Sequence, residues 1–179
     1  LDRFGQVTPK VLFTTDGYIY DQKWHASLPR VKDILAELSS VEQVVVVPFS
    51  ESVPDIKPIK NSVLWSDFKI DRTEDQISFE HRPFNHPLFI MYSSGTTGVP
   101  KCIVHSAGGA LLQHLKEHQL HCDIKPNDRV FYFTTCGWMM WNWLVSALAS
   151  EATLLLYDGS PFAAKDDILF DFASEEKMT

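Results

Sequence analysis

Four consecutive valines, Val44 to Val47, closed by Pro48, constrain this chain more than any other feature. Side chains alternate between the two faces of a strand, so an uninterrupted apolar run needs cover on both faces. That is the situation of a strand in a parallel sheet packed between helices. Further apolar runs at Leu88 to Tyr92, Ile103-Val104, Val130 to Thr134 and Thr153 to Tyr157 read as strands of the same kind. Helical patterns lie between them. Leu28, Val31, Leu35 and Leu38 share one face of a helix capped by Ser27 and ending near Ser39. Ala107 to His121 reads as a second helix, and Met139 to Ala149, apolar nearly all round, as a buried third. The alternation predicts an α/β layered fold with a mainly parallel sheet flanked by helices. Val11 to Tyr20 reads as a hairpin turning at Asp16-Gly17. Residues 49 to 87 are irregular, punctuated by Pro54, Pro58, Pro83 and Pro87, with one turn of helix expected at Trp65 to Phe68.

Composition narrows the function. With 179 residues, 45% hydrophobic and 22% charged, the chain can bury one real core. The net charge of -7 and the lack of any Lys/Arg run argue against nucleic acid as a partner. No stretch is long and apolar enough to span a bilayer, so no membrane partner is expected. Cys102, Cys122 and Cys136 form neither an even set nor a CxxC pair. They read as free thiols of a reducing compartment, hence a cytoplasmic protein. Leu1, without an initiating Met, and Thr179 read as cuts inside a longer protein.

The stretch Tyr92-Ser93-Ser94-Gly95-Thr96-Thr97-Gly98-Val99-Pro100-Lys101 follows directly on an expected strand. Gly95 and Gly98 allow tight turns and close approach of backbone to ligand. Successive N–H groups can form an anion nest, hydroxyls add donors, and Lys101 adds a mobile positive charge. These are the parts needed to hold a polyphosphate. A Walker A loop would require glycine where Pro100 stands and Ser or Thr where Cys102 stands. The remaining reading from composition alone is a polar surface loop.

A second segment, Thr134-Thr135-Cys136-Gly137-Trp138-Met139-Met140-Trp141-Asn142-Trp143, follows the strand Val130 to Thr134. Ligands of open α/β sheets bind beyond the carboxyl ends of strands, and if the two strands are neighbours both segments face one crevice. Gly137 is expected to permit a sharp turn into the helix. Trp138, Met139 and Met140 near its start can shape an apolar pocket, or simply fill the core.

The loop Ser93 to Lys101 resembles the signature loop of the adenylate-forming superfamily, which includes acyl-CoA synthetases, luciferases and the adenylation domains of peptide synthetases. Most members have Gly where this chain has Cys102. The cysteine, and the Gly137-Trp138 pair followed by Met139-Met140-Trp141-Asn142, are similar to the acetoacetate-activating branch. So are Leu12 to Tyr18, His86 to Tyr92, His105 to Gly109 and Leu156 to Pro161. The resemblance implies ATP-dependent activation of acetoacetate through an acyl-adenylate, with coenzyme A as acceptor and Mg2+ bridging phosphate oxygens. It implies that Ser93, Ser94, Gly95, Thr96, Thr97, Gly98 and Lys101 hold the pyrophosphate end of ATP. Trp138, Met139, Met140, Trp141 and Asn142 would border the acid. Residues 1–179 would form part of the large AMP-binding N-terminal domain, without the C-terminal lid domain and its catalytic lysine. No catalytic residue is then expected within the chain, which would be inactive alone. Acetyl- or propionyl-CoA synthetase of the same superfamily, and a non-catalytic nucleotide-binding relative, are the alternatives.

Two other clusters stand out in the sequence. His114, His118 and His121 share a helix face near Cys122, which could suggest zinc, but no acidic partner or CxxC accompanies them. They read instead as a polar, partly exposed face. Cys102 and His105 are close in sequence, but no orienting third group accompanies them, as nucleophilic catalysis would need.

Overall fold

The valine run is the middle of a sheet. In a computed structural model describing residues 1–50, 53–69, 77–93, 98–162 and 166–179, the chain divides into two units. One is Leu1–Phe79 with Ser94–Lys101; the other is Glu80–Ser93 with Cys102–Thr179.

The first unit runs α1 (Phe4–Val7), β1 (Val11–Thr15), β2 (Gly17–Tyr20), β3 (Lys23–Ala26), α2 (Leu28–Glu37), β4 (Gln43–Val47), β5 (Ser62–Leu64) and α3 (Trp65–Phe68). Strands β1, β4 and β5 form a parallel sheet with β4 central. Val44, Val45 and Val46 are wholly buried, as a run with no polar face requires. Val44 and Val46 pack with Val31 of α2 and Ile59 on one face. The register sets Phe13 beside Val45, and the Phe13 ring meets Trp65 and Phe68 of α3 edge-on at 6.3 and 5.7 Å.

The expected hairpin at Asp16-Gly17 does not form. β1 pairs in parallel with β4, and β2 pairs instead with β3, antiparallel, through Asp21 and Gln22 at φ 49° and 61°. Asp16 is 7% exposed. Its carboxylate accepts from the Ser50 hydroxyl, from Phe49 N at 2.6 Å and from Ser50 N. Burial alone would raise its pKa, but these donors prevail and hold it below the usual carboxylate value. Gly17 is needed for space rather than for its dihedrals: a Cβ there would lie 2.2 Å from the Trp24 ring. Ser27 precedes α2 as expected, but its side chain makes no capping bond.

The second unit contains β6 (Pro87–Ser93), β7 (Lys101–Ser106, entering from the first unit), α4 (Ala107–Leu115) and a π-helical turn over Lys116–His121. These are followed by β8 (Arg129–Phe131), α5 (Met139–Ser146), a 3-10 turn over Ala147–Ser150, β9 (Thr153–Leu155) and α6 (Ile168–Glu175). β6 pairs with β7, and β8 with β9 in parallel. The Ser106 hydroxyl caps α4 by accepting from Gly109 N at 3.3 Å. Ile124, Ala147 and Ala152 form a core with Val130 and Leu154. Helix α5 is less buried than its composition suggests: Leu144 is enclosed, whereas Met139 is 46% exposed.

Candidate functional site

Of the polyphosphate loop, Ser94, Gly95, Thr96 and Thr97 lie outside the described residues. Ser93 ends β6 and Lys101 begins β7. Gly98 has φ 95°, a backbone conformation that side chains disfavour, so glycine is required there. Gln6 Nε2 of α1 donates to the Pro100 carbonyl at 2.8 Å, tying the loop's end to the first unit. The Lys101 ammonium is exposed and makes no ion pair among the described residues. A glycine in the left-handed region and an uncommitted ammonium next to a strand fit an anion such as a polyphosphate.

The second segment sits at the start of α5. Thr135 builds the turn before it, its carbonyl accepting from Trp138 N at 3.1 Å. Gly137 does not have the left-handed backbone that would demand glycine, and a Cβ there would meet only Thr135 Oγ1 at 3.6 Å. The sharp turn is therefore made by the Thr135 bonds, not by a special glycine conformation. Trp138 is 70% exposed and Met139 nearly half, so these two are not core residues of the described chain; Met140, Trp141 and Asn142 are half-buried. The expected sharing of one crevice does not arise from strand pairing, because β6 and β8 belong to separate ladders. It is a side chain that brings the segment to β6: Asn142 Nδ2 donates to Met91 Sδ at 3.3 Å, two residues before Ser93.

Beside Met139 the surface opens into a pocket. A cavity of about 450 Å³ lies between α4 and α5, bordered by His105, Ala110, His114, Glu117, Met139 and Trp143. His114 Nδ1 is 2.8 Å from Ser146 Oγ, itself 2.9 Å from the Asn142 carbonyl. Burial, opposed by Glu117 and aided by His105, lowers the His114 pKa. His118 is fully enclosed, its ring 4.4 Å from that of Trp143, with no hydrogen-bond partner for either nitrogen among the described residues. Burial and then His114 lower its pKa too; the Trp143 backbone, near the ring but short of hydrogen-bond geometry, and Glu117 oppose them.

The partly exposed histidine face is thus corrected: His114 and His118 point inward and only His121 is exposed, while Leu111 and Leu112 of the same helix are 45% and 64% exposed. Among the described residues no three His, Cys, Asp or Glu side chains gather to hold a metal. No helix of the described residues is long and apolar enough to cross a membrane, and the three cysteines form no disulfide. The buried His114–Ser146 pair escaped sequence reasoning; its one signal was the four-residue spacing of His114 and His118 on α4 and the π turn.

The chain belongs to the AMP-binding enzyme family, whose pattern matches residues 2–179. It is 51% identical over 179 residues to the acetoacetyl-coenzyme A synthetase of Rhizobium meliloti (strain 1021), covering 99% of this chain and 27% of that protein. It is 45% identical to malonamoyl-CoA synthetase vrtB of Penicillium aethiopicum, over 94% of this chain and 25% of that protein. The solved acetoacetyl-CoA synthetase from Streptomyces lividans matches with a TM-score of 0.90 and 44% identity, over all of this chain and 27% of that one. The chain therefore spans about a quarter of the length of the relatives it matches.

Proposed function

We propose that these residues carry the polyphosphate loop and one wall of the acid pocket of an enzyme that converts acetoacetate to acetoacetyl-CoA. The observation that carries the reading is the Asn142–Met91 contact, which sets the acid segment against the strand leading into the loop. Relatives named for acetoacetate and for malonamate support the substrate class, since both are short acids with a carbonyl on the third carbon.

In the first step a carboxylate oxygen attacks the α-phosphorus of ATP, the bond to pyrophosphate breaks, and an acyl-adenylate forms. In the second, the coenzyme A thiol attacks the acyl carbon and AMP leaves. Neither step demands much acid–base chemistry from protein; positioning and charge neutralisation carry the first. Ser93 to Gly98 and Lys101 would neutralise the departing pyrophosphate, and Trp138 to Asn142 would border the acid. Mg2+, when bound, would neutralise phosphate charge. The chain would act as part of a large N-terminal domain in the cytoplasm, completed by a C-terminal lid domain that brings the catalytic lysine, and would be inactive alone.

Acid-dependent ATP–pyrophosphate exchange on the full-length protein tests this, comparing acetoacetate with acetate, propionate and butyrate. Strong exchange with acetoacetate is expected. Preference for acetate would keep the chemistry and overturn the substrate, and no exchange with any acid would leave a non-catalytic nucleotide binder.

A further inference from the structure

We propose that the cavity between α4 and α5 receives the tail of the acid, and that His114 is the residue that reads the oxygen on its third carbon. This rests on the acid-activating reading above. Met139 belongs both to the segment bordering the acid and to the cavity wall, so the cavity opens directly off the acid's expected place. At about 450 Å³ it is roomier than a four-carbon acid needs, so shape alone cannot select acetoacetate over butyrate. Apolar packing discriminates by only roughly 10- to 200-fold per methylene, whereas a buried polar group left unpaired by the wrong substrate discriminates more strongly.

His114 meets that requirement. Its ring is 8% exposed and its orientation is fixed, because Nδ1 is held by Ser146 Oγ at 2.8 Å. Nε2 is the ring's remaining polar atom. In the free protein the serine hydroxyl donates to the Asn142 carbonyl at 2.9 Å, so Nδ1–H donates to Ser146 Oγ. Turning the hydroxyl from that carbonyl to Nδ1 when the acid binds selects the other tautomer, whose proton sits on Nε2 and is donated to the carbonyl oxygen. Burial keeps the ring neutral, so recognition is by hydrogen bond and not by charge. Of the other polar groups on the pocket wall, the half-exposed Glu117 accepts from Gln113 at 2.8 Å and, as an anion, offers a carbonyl no donor, while Ser106 Oγ is engaged by Gly109 N at 3.3 Å.

Two substitutions separate the ring's two ends. His114→Asn keeps an amide near the Nδ1 position, facing Ser146, and removes Nε2. His114→Gln places an amide near the Nε2 position. Measured by ATP–pyrophosphate exchange on the full-length protein, the kcat/KM ratio of acetoacetate over butyrate should fall roughly 10- to 100-fold in His114→Asn. It should be largely restored in His114→Gln. A ratio unchanged in His114→Asn, or equal losses for both acids in both variants, would overturn the inference and leave His114 a packing residue. A wild-type protein without acetoacetate exchange overturns the functional reading and this inference together. An acetoacetate-selective wild type whose ratio ignores the substitutions overturns this inference alone.

Discussion

His118 occupies a site that only a neutral ring tolerates: wholly enclosed, against Trp143, with neither nitrogen bonded among the described residues. Its pKa lies below the ordinary 6.5 in the folded state, so on acidification the unfolded chain takes up the proton first. Stability conferred by the neutral ring is therefore complete above about pH 6.5 and is lost as pH falls below it. The urea midpoint should drop between pH 7 and pH 5. In His118→Phe, which removes the two unsatisfied nitrogens, it should be no lower at pH 7 and should drop less; an identical drop would assign the sensitivity elsewhere. Sequence pattern sets these histidines on a polar, partly exposed face bordering the apolar stripe of Leu111 and Leu115. The packing differs: the imidazoles of His114 and His118 fill the space against α5 while Leu111 stays exposed. Periodicity identifies faces, but which face turns inward depends on the partner helix, and that is tertiary information.

Between elements, the clasp of Asp16 onto Phe49 and Ser50 joins the end of β1 to the segment after β4. Asp16→Ala would strand several donors around a buried site, and should cost about 2–4 kcal/mol by chemical denaturation. A cost near zero would show that water replaces the carboxylate. Because the folded pKa is depressed, this contribution is present above pH 3.8, the unfolded value, and is lost as pH falls through the lower folded one. Asp16-Gly17 was legible as a turn signal, yet the carboxylate's partners lie some 33 residues onward, and they select the parallel β1–β4 pairing over a local hairpin. The actual hairpin turns at Asp21-Gln22, which has no glycine to announce it. Helices α2 and α3 were legible from spacing and composition. β3, β5 and α6 are short and gave no comparable signal.

At the scale of the whole molecule, the function proposed above gives the exposed Lys101, three residues after Gly98, the charge of the leaving pyrophosphate to neutralise. Lys101→Ala in the full-length protein should slow ATP–pyrophosphate exchange roughly 10- to 100-fold through lost neutralisation of the leaving group. An unchanged exchange rate would remove Lys101 from that role.

The amino-acid sequence by itself determined the α/β class, because successive valines with no polar face need cover on both sides; three of the four are wholly buried and only the last, Val47, is exposed. It also singled out the loop and the aromatic segment as candidates, because hydroxyls, glycines and a lysine close together are a local signal for an anion site. The tertiary structure decided which strands pair, which face of α4 is inside, and that Asn142 meets Met91 across 51 residues of chain. Those outcomes depend on contacts between segments far apart in sequence, whose energies no local pattern contains.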